Sequence, residues 1–137
     1  MSAQTATAPR ILVIGTGDTK ADELLFMKAC IEASGGSAVM MDVSVLGNPP
    51  YSPDHDKHAV ARAVDVTIEE IVASGDENTA MTLMAGGAVQ LVRQLHQNGE
   101  IDAFIAIGGS MGTDLAPDLA LSLPLGMPKL VVSTIAY

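Results

Sequence analysis

The rhythm of the apolar residues constrains this chain more than any other feature. Four short, mainly aliphatic runs sit at Arg10–Ile14, Ser37–Val45, Asp102–Ile107 and Lys129–Thr134, and segments of helical period separate them. Aliphatic runs this short suit parallel strands buried on both faces. Strands alternating with helices predict an α/β fold, a Rossmann-like three-layer sandwich with a four-stranded parallel sheet. The predicted strand order is 2-1-3-4, which puts a topological switch between the first and third strands. Ligands in such sheets bind at the carboxyl ends of the strands beside that switch.

Leu24, Met27 and Ile31 predict a first helix over 21–33, with Thr19 and Asp22 as its capping box and Gly35-Gly36 as its stop. Cys30 is expected beside its apolar face as a buried structural thiol. Residues 46–58, rich in Pro and polar side chains, form the longest loop and a candidate lid. Short helical pieces are expected at 59–63 and 67–73, stopped at Gly75. Met81, Met84, Ala88, Leu91, Val92 and Leu95 form the stripe of the longest helix, over 80–97, begun by Asn78 or Thr79 and ended by Gly99. Gly86-Gly87 interrupts that helix, and close helix–strand packing is the expected reason. Thr113 or Asp114 as cap of a later short helix would place Pro117 in its first turn, where proline is tolerated. Residues 1–9 read as a flexible tail and 10–137 as a single lobe.

Composition removes several classes of function. Seven Lys and Arg against sixteen Asp and Glu leave a net charge of −9. Nucleic-acid binding depends on clustered cations, so that partner is excluded, and so is docking on anionic membrane. Aromatics are 3% with no Trp, which removes stacking platforms for single strands. One cysteine allows no intramolecular disulfide and suits a reducing compartment. No signal-like core opens the chain, and no apolar run reaches membrane-spanning length, so a cytoplasmic location is expected.

Two glycine loops carry the functional signal. The first, Gly15-Thr16-Gly17-Asp18-Thr19-Lys20, follows the first strand. Its glycines allow backbone N–H groups close to a ligand, and the next helix start favours an anion. Lys20 adds a point charge, Thr16 and Thr19 add hydroxyls, and Asp18 suits a metal ion or a ribose. Asp42, at the end of the second strand, lies near the ribose-binding position of dinucleotide folds. The loop is neither a P-loop nor a full dinucleotide fingerprint, and a plain strand-to-helix turn stays open. The second loop, Gly108-Gly109-Ser110-Met111-Gly112-Thr113, repeats the chemistry after the third strand. Two such loops facing one crevice suit a nucleotide or another phosphorylated ligand, with a sugar or a carboxylic acid as the main competitor.

Other residues are weaker candidates. Gly108 to Gly112 matches the G-x-S-x-G nucleophile elbow, but no His follows Ser110 to complete a triad. The run Asp54-His55-Asp56-Lys57-His58 is metal-capable, with a solvated polar loop as its default reading. No metal site is assigned.

Gly15 to Lys20 with Asp22-Glu23, Met41-Asp-Val-Ser44, Gly108 to Thr113, and Leu123 to Lys129 with Val132-Ser-Thr134 together resemble the Tm-one-like ATP-binding domain family. That family includes the N-terminal domain of a plant tobamovirus-resistance protein and many uncharacterised microbial proteins. The resemblance runs from about Arg10 to the end. It implies ATP, with or without Mg²⁺, as the ligand, held around the two loops. Met111 stands where a glycine is expected. Members continue into a second α/β lobe, so the resemblance implies a first lobe only. A four-stranded sheet without its partner lobe leaves an apolar edge or face to cover at the fourth strand, so a homo-oligomer is expected as well. The leading expectation is nucleotide binding. The alternatives are part of a two-lobe metabolic enzyme acting on a small carboxylate or sugar-like substrate, and a structural lobe without ligand.

Overall fold

The computed structural model describes residues 8–108 and 117–133. Strand β1 (Arg10–Gly15) lies inside the sheet, flanked by β2 (Ser37–Asp42) and β3 (Ala103–Gly108), and β4 (Lys129–Ser133) closes the far edge. All three pairings are parallel and the order is β2-β1-β3-β4, as the sequence predicts. Alternate side chains of each strand enter opposite layers. Leu12, Ile14, Met41, Phe104 and Ala106 face a large core packed by α2 (Lys57–Arg62), α3 (Ile68–Ala73) and α4 (Glu77–Gln97). Val13, Met40 and Ile107 face α1 (Ala21–Ala33), whose Leu24 and Ile31 are buried. The crossover from β1 to β2 and the one from β2 back to β3 thus run over opposite faces of the sheet, which is the physical meaning of the switch point. Helical residues 117–122 precede β4, so Pro117 opens the described part of that helix.

Several local expectations change. The N-cap of α1 is Lys20, with no side-chain cap hydrogen bond, so the Thr19–Asp22 capping box does not form. The helix starts one residue later than that box requires, and the Thr19 hydroxyl sits 2.8 Å from the Thr16 hydroxyl instead. Cys30 is exposed rather than buried. Only a narrow stripe of α1 touches the sheet, and Cys30 lies on its flank. Helix α4 starts before Asn78 because the Asp76 carboxylate accepts from the N–H groups of Asn78 and Thr79.

The Gly86-Gly87 step serves a helix–helix contact, not a helix–strand contact. A Cβ on Gly87 would stand 2.1 Å from the Val60 carbonyl oxygen of α2.

The 46–58 segment is a strap. Met40 N–H donates to the Asp54 carboxylate at 2.7 Å, His55 N–H to Met40 O, and Asp42 N–H to His55 O. Residues 54–55 therefore cover the outer edge of β2, which an open parallel sheet would otherwise expose. Asp56 caps α2 through Ala59 N–H. The Asp54 and Asp56 carboxylates are thus engaged by backbone N–H groups. Among the described residues, no three His, Cys, Asp or Glu side chains are grouped to hold a metal ion. Among them, too, no helix is long and apolar enough to cross a membrane.

Helix α3 is short and depends on its cap. Thr67 Oγ1 accepts Glu70 N–H at 3.1 Å, and Glu70 Oε1 accepts Thr67 N–H at 3.3 Å. Thr67→Ala is expected to cost about 1 kcal/mol in chemical denaturation, and an unchanged midpoint would contradict this role of the box.

Candidate functional site

The site begins where β1 ends. Gly15 is needed there because a Cβ would meet Ile107 O of β3 at 2.7 Å and Leu24 Cδ2 of α1 at 2.9 Å. The chain then turns on Thr16, whose carbonyl accepts from Thr19 N–H at 3.1 Å and Lys20 N–H at 2.8 Å. Gly17 N–H donates to Asp42 Oδ1 at 2.9 Å, and Asp18 N–H donates to Ser44 Oγ at 3.1 Å.

These four bonds engage the N–H groups of residues 17–20 within the protein. The donors that helix geometry leaves are those of the first turn of α1, residues 21–23. No side chain caps them. Lys20 stands at the same point, while Asp22 and Glu23 add negative charge to that turn.

Asp42 lies beneath the loop. It is 1% exposed, and its Oδ1 accepts from Gly17 N–H, Ser44 N–H and, at 2.6 Å, Ser44 Oγ. The Ser44 contacts make an Asx-type turn, a local habit of Asp two residues before a small hydroxyl residue. Among the described residues, its Oδ2 is buried without a hydrogen-bond partner. Ser44 Oγ lies 3.0 Å from Asp18 Oδ1, and Gly47 N–H donates to Asp18 Oδ2 at 3.2 Å. The strap presses on the loop from outside: a Cβ on Gly17 would meet Pro49 Cβ at 2.7 Å and the Tyr51 hydroxyl at 2.8 Å. Burial and, second, the Asp42 charge push the Tyr51 hydroxyl up to about 12.

Lys57 completes the frame. It is 8% exposed, and its ammonium donates to Val45 O at 3.2 Å and Gly47 O at 3.0 Å. It therefore holds the 45–47 segment from the first turn of α2. The sequence does not point to Lys57, to Tyr51 or to the structural part of Ser44. The Asp-x-Ser spacing at Asp42 is a usable signal for Ser44, but nothing in the sequence marks Lys57 or Tyr51.

A cavity of about 570 Å³ opens beside this frame, at the carboxyl ends of β1 and β2. One wall is polar: Thr16, Asp18, Thr19, Lys20 and Ser44. The other is apolar: Val45, Leu46, Ile71, Val72, Ala80 and Met81. Gly75, Asp76 and Glu77 form the corner between α3 and α4. Four of the predicted residues thus share one cavity, while Gly17 and Asp42 sit under it. Gly15 and Gly108 end neighbouring strands. The positions Gly109, Ser110, Gly112 and Thr113 lie outside the described residues.

The sequence that builds this cavity has relatives. Residues 9–137 match the model of the uncharacterised protein family UPF0261, N-terminal domain. A UPF0261 protein of Brucella suis is 64% identical over 137 residues, which is 100% of this chain and 32% of the relative. One from Clostridium tetani is 36% identical over 127 residues, 93% of this chain and 31% of the relative. The tomato ToMV resistance protein Tm-1 is 27% identical over 156 residues, 99% of this chain and 20% of that protein. The chain spans about a third of the length of its bacterial relatives. By sequence and by matched length, this chain belongs to the UPF0261 family and corresponds to its N-terminal domain.

Proposed function

We propose that the cavity binds a nucleotide-type ligand, ATP first, with or without Mg²⁺, and that the domain is a ligand-binding lobe. The observation that carries this reading is a cavity with a polar and an apolar wall, whose polar wall contains Lys20, the N-cap residue of the uncapped helix α1. The volume lies in the range of ordinary small-molecule sites. Since the loop N–H groups are engaged, the anionic end depends on Lys20 and the first turn of α1. Calorimetric titration with ATP and Mg²⁺ tests it. Lys20→Ala is expected to weaken binding about tenfold, the loss of one charge-assisted contact. No heat with ATP in the unaltered protein would overturn the reading.

A second reading rests on the Asp18–Ser44–Asp42 chain of carboxylates and a hydroxyl. Such groups suit a hydroxylated or carboxylated metabolite, and the domain would then be part of a two-lobe enzyme. Stabilisation by sugar acids but not by nucleotides in a thermal-shift screen would favour it. The open edge of β4 supports an assembly role beside either reading, with a second copy or a second lobe covering it. There Leu130, Val131 and Val132 are 37–50% exposed.

A further inference from the structure

We infer that the free edge of β4 is a docking surface for a second copy of this chain, with the two β4 strands paired antiparallel about Val131. This rests on the open edge of β4 and not on the ligand reading, and it commits that edge to one occupant.

The two edges of the sheet differ. At β2 the strap covers the edge through bonds to Met40 and Asp42 N–H groups and from His55 N–H. At β4 no described strand follows, because the order ends on β3-β4. Phe104 N–H donates to Pro128 O at 3.1 Å, and Phe104 is in register with Lys129. In a parallel ladder this turns the backbone groups of Leu130 and Val132 toward β3 and those of Lys129 and Val131 outward. A charged lysine is one of the devices that keep such an edge from pairing. Here the Lys129 ammonium is drawn back onto the turn before the strand, where it donates to Pro124 O and Met127 O. Leu130, Val131 and Val132 then follow, all part-exposed, and because their side chains alternate, both faces of β4 are open. Parallel sheets bury both faces, so this strand lacks a cover.

Charge selects the occupant. All sixteen acids of the chain lie at or before Asp118, and residues 119–137 hold a single Lys and no acid. Leu121 and Leu125, in the segment leading into β4, are almost fully exposed and extend this acid-free stretch. Two copies of a chain with net charge −9 therefore meet with least repulsion here. Helix α1 also exposes apolar groups, Leu25 and Phe26, but it carries Asp22, Glu23 and Glu32, and self-pairing there brings carboxylates together. The β4 edge is self-complementary as well. Antiparallel pairing about Val131 sets that residue opposite itself, exchanging both outward hydrogen bonds, and sets Leu130 opposite Val132 of the second copy. Lys129 then meets Ser133 of the second copy, so no like charges face each other.

Light scattering after size exclusion, over a loading series from micromolar to millimolar, tests the pairing. A monomer–dimer equilibrium is expected. Val131→Pro removes the central outward N–H and leaves the bonds to β3 intact, a position where an edge strand tolerates proline. It should weaken self-association about tenfold or more, the loss of two exchanged hydrogen bonds. Val131→Lys sets two ammonium groups opposite each other and should weaken it as well, and it decides the matter alone if the proline disturbs the strand. Phe26→Lys on α1 should leave the dimer unchanged. Unfolding midpoints establish that each variant is folded. The inference is overturned by a monomer at every concentration, by a dimer that survives Val131→Lys, or by one that Phe26→Lys dissociates. The nucleotide reading stands in each of these cases, since calorimetry with ATP tests it separately.

Discussion

Gly87→Ala is expected to destabilise the protein by about 3 kcal/mol, while its neighbour Gly86→Ala is expected to stabilise it by up to about 1 kcal/mol. The new Cβ at position 87 would lie 2.1 Å from the Val60 carbonyl oxygen and 3.0 Å from its carbonyl carbon. Those are backbone atoms inside α2, so relief requires α2 and α4 to separate. Separation would open the core around Val60, Ala88 and Val92, all buried at 0% exposure. At Gly86 the nearest atom to a Cβ is Val64 Cγ1 at 3.6 Å, an ordinary contact. There only the helix propensity of alanine acts, and it favours folding. Denaturant midpoints of the two variants, side by side, read the difference. Equal midpoints would mean that α2 and α4 approach each other less closely than this.

Asp42→Ala is expected to cost about 3 kcal/mol and to abolish ligand binding in the cavity. The substitution removes the acceptor of Gly17 N–H, Ser44 N–H and the Ser44 hydroxyl in a buried setting. Each orphaned donor costs roughly 1–3 kcal/mol, partly offset because a buried carboxylate with one unpartnered oxygen is no longer desolvated. The loop would lose the contact that holds Gly17 against β2, and the positions of Thr16 and Lys20 depend on that turn. Asp42→Asn keeps an acceptor oxygen and should retain most of the stability. It also separates the two causes acting on Tyr51. Without the Asp42 charge, the Tyr51 hydroxyl should titrate below about 12, yet above its ordinary value of 10.0, because burial is the larger cause. Tyrosinate absorbance in a Tyr137→Phe background measures it. In the unaltered protein the unfolded chain loses the Tyr51 proton at lower pH than the folded one, so as the pH climbs from 10 toward 12 the fold loses stability relative to its value below pH 10. Full stability in Asp42→Ala would show that the loop holds without the carboxylate.

Much of the architecture is legible in the sequence. The aliphatic runs become β1 to β4 within a few residues of their expected bounds, and Gly99, with φ of +69°, ends α4 as its type requires. These features are legible because burial and turn geometry act on neighbouring residues. The differences arise where another partner competes for a side chain or where packing decides exposure. Spacing alone makes Thr19 a cap, but its hydroxyl is drawn to Thr16. An apolar stripe on its helix suggests a buried Cys30, yet α1 packs on only one narrow line. The Asp54–His58 run is metal-capable by composition, but the edge of β2 and the start of α2 use its carboxylates.

By itself, the sequence determined the kind of fold, the order of its strands, and the fact that the loop after β1 is built from small and hydroxylated residues. Periodicity, glycine stops and charge balance are local quantities, and one chain records them fully. Only the tertiary structure decided what that loop does with its hydrogen-bond donors. Asp42 and Ser44 lie 25 and 26 residues from Gly17 and Asp18, and parallel pairing of β1 with β2 brings them under the loop. That pairing turns the loop N–H groups inward. It leaves Lys20, the residue before α1, facing a cavity whose apolar wall comes from segments up to 65 residues away in sequence (Thr16 to Met81). Contacts at such separations depend on how the layers pack, which no local pattern encodes.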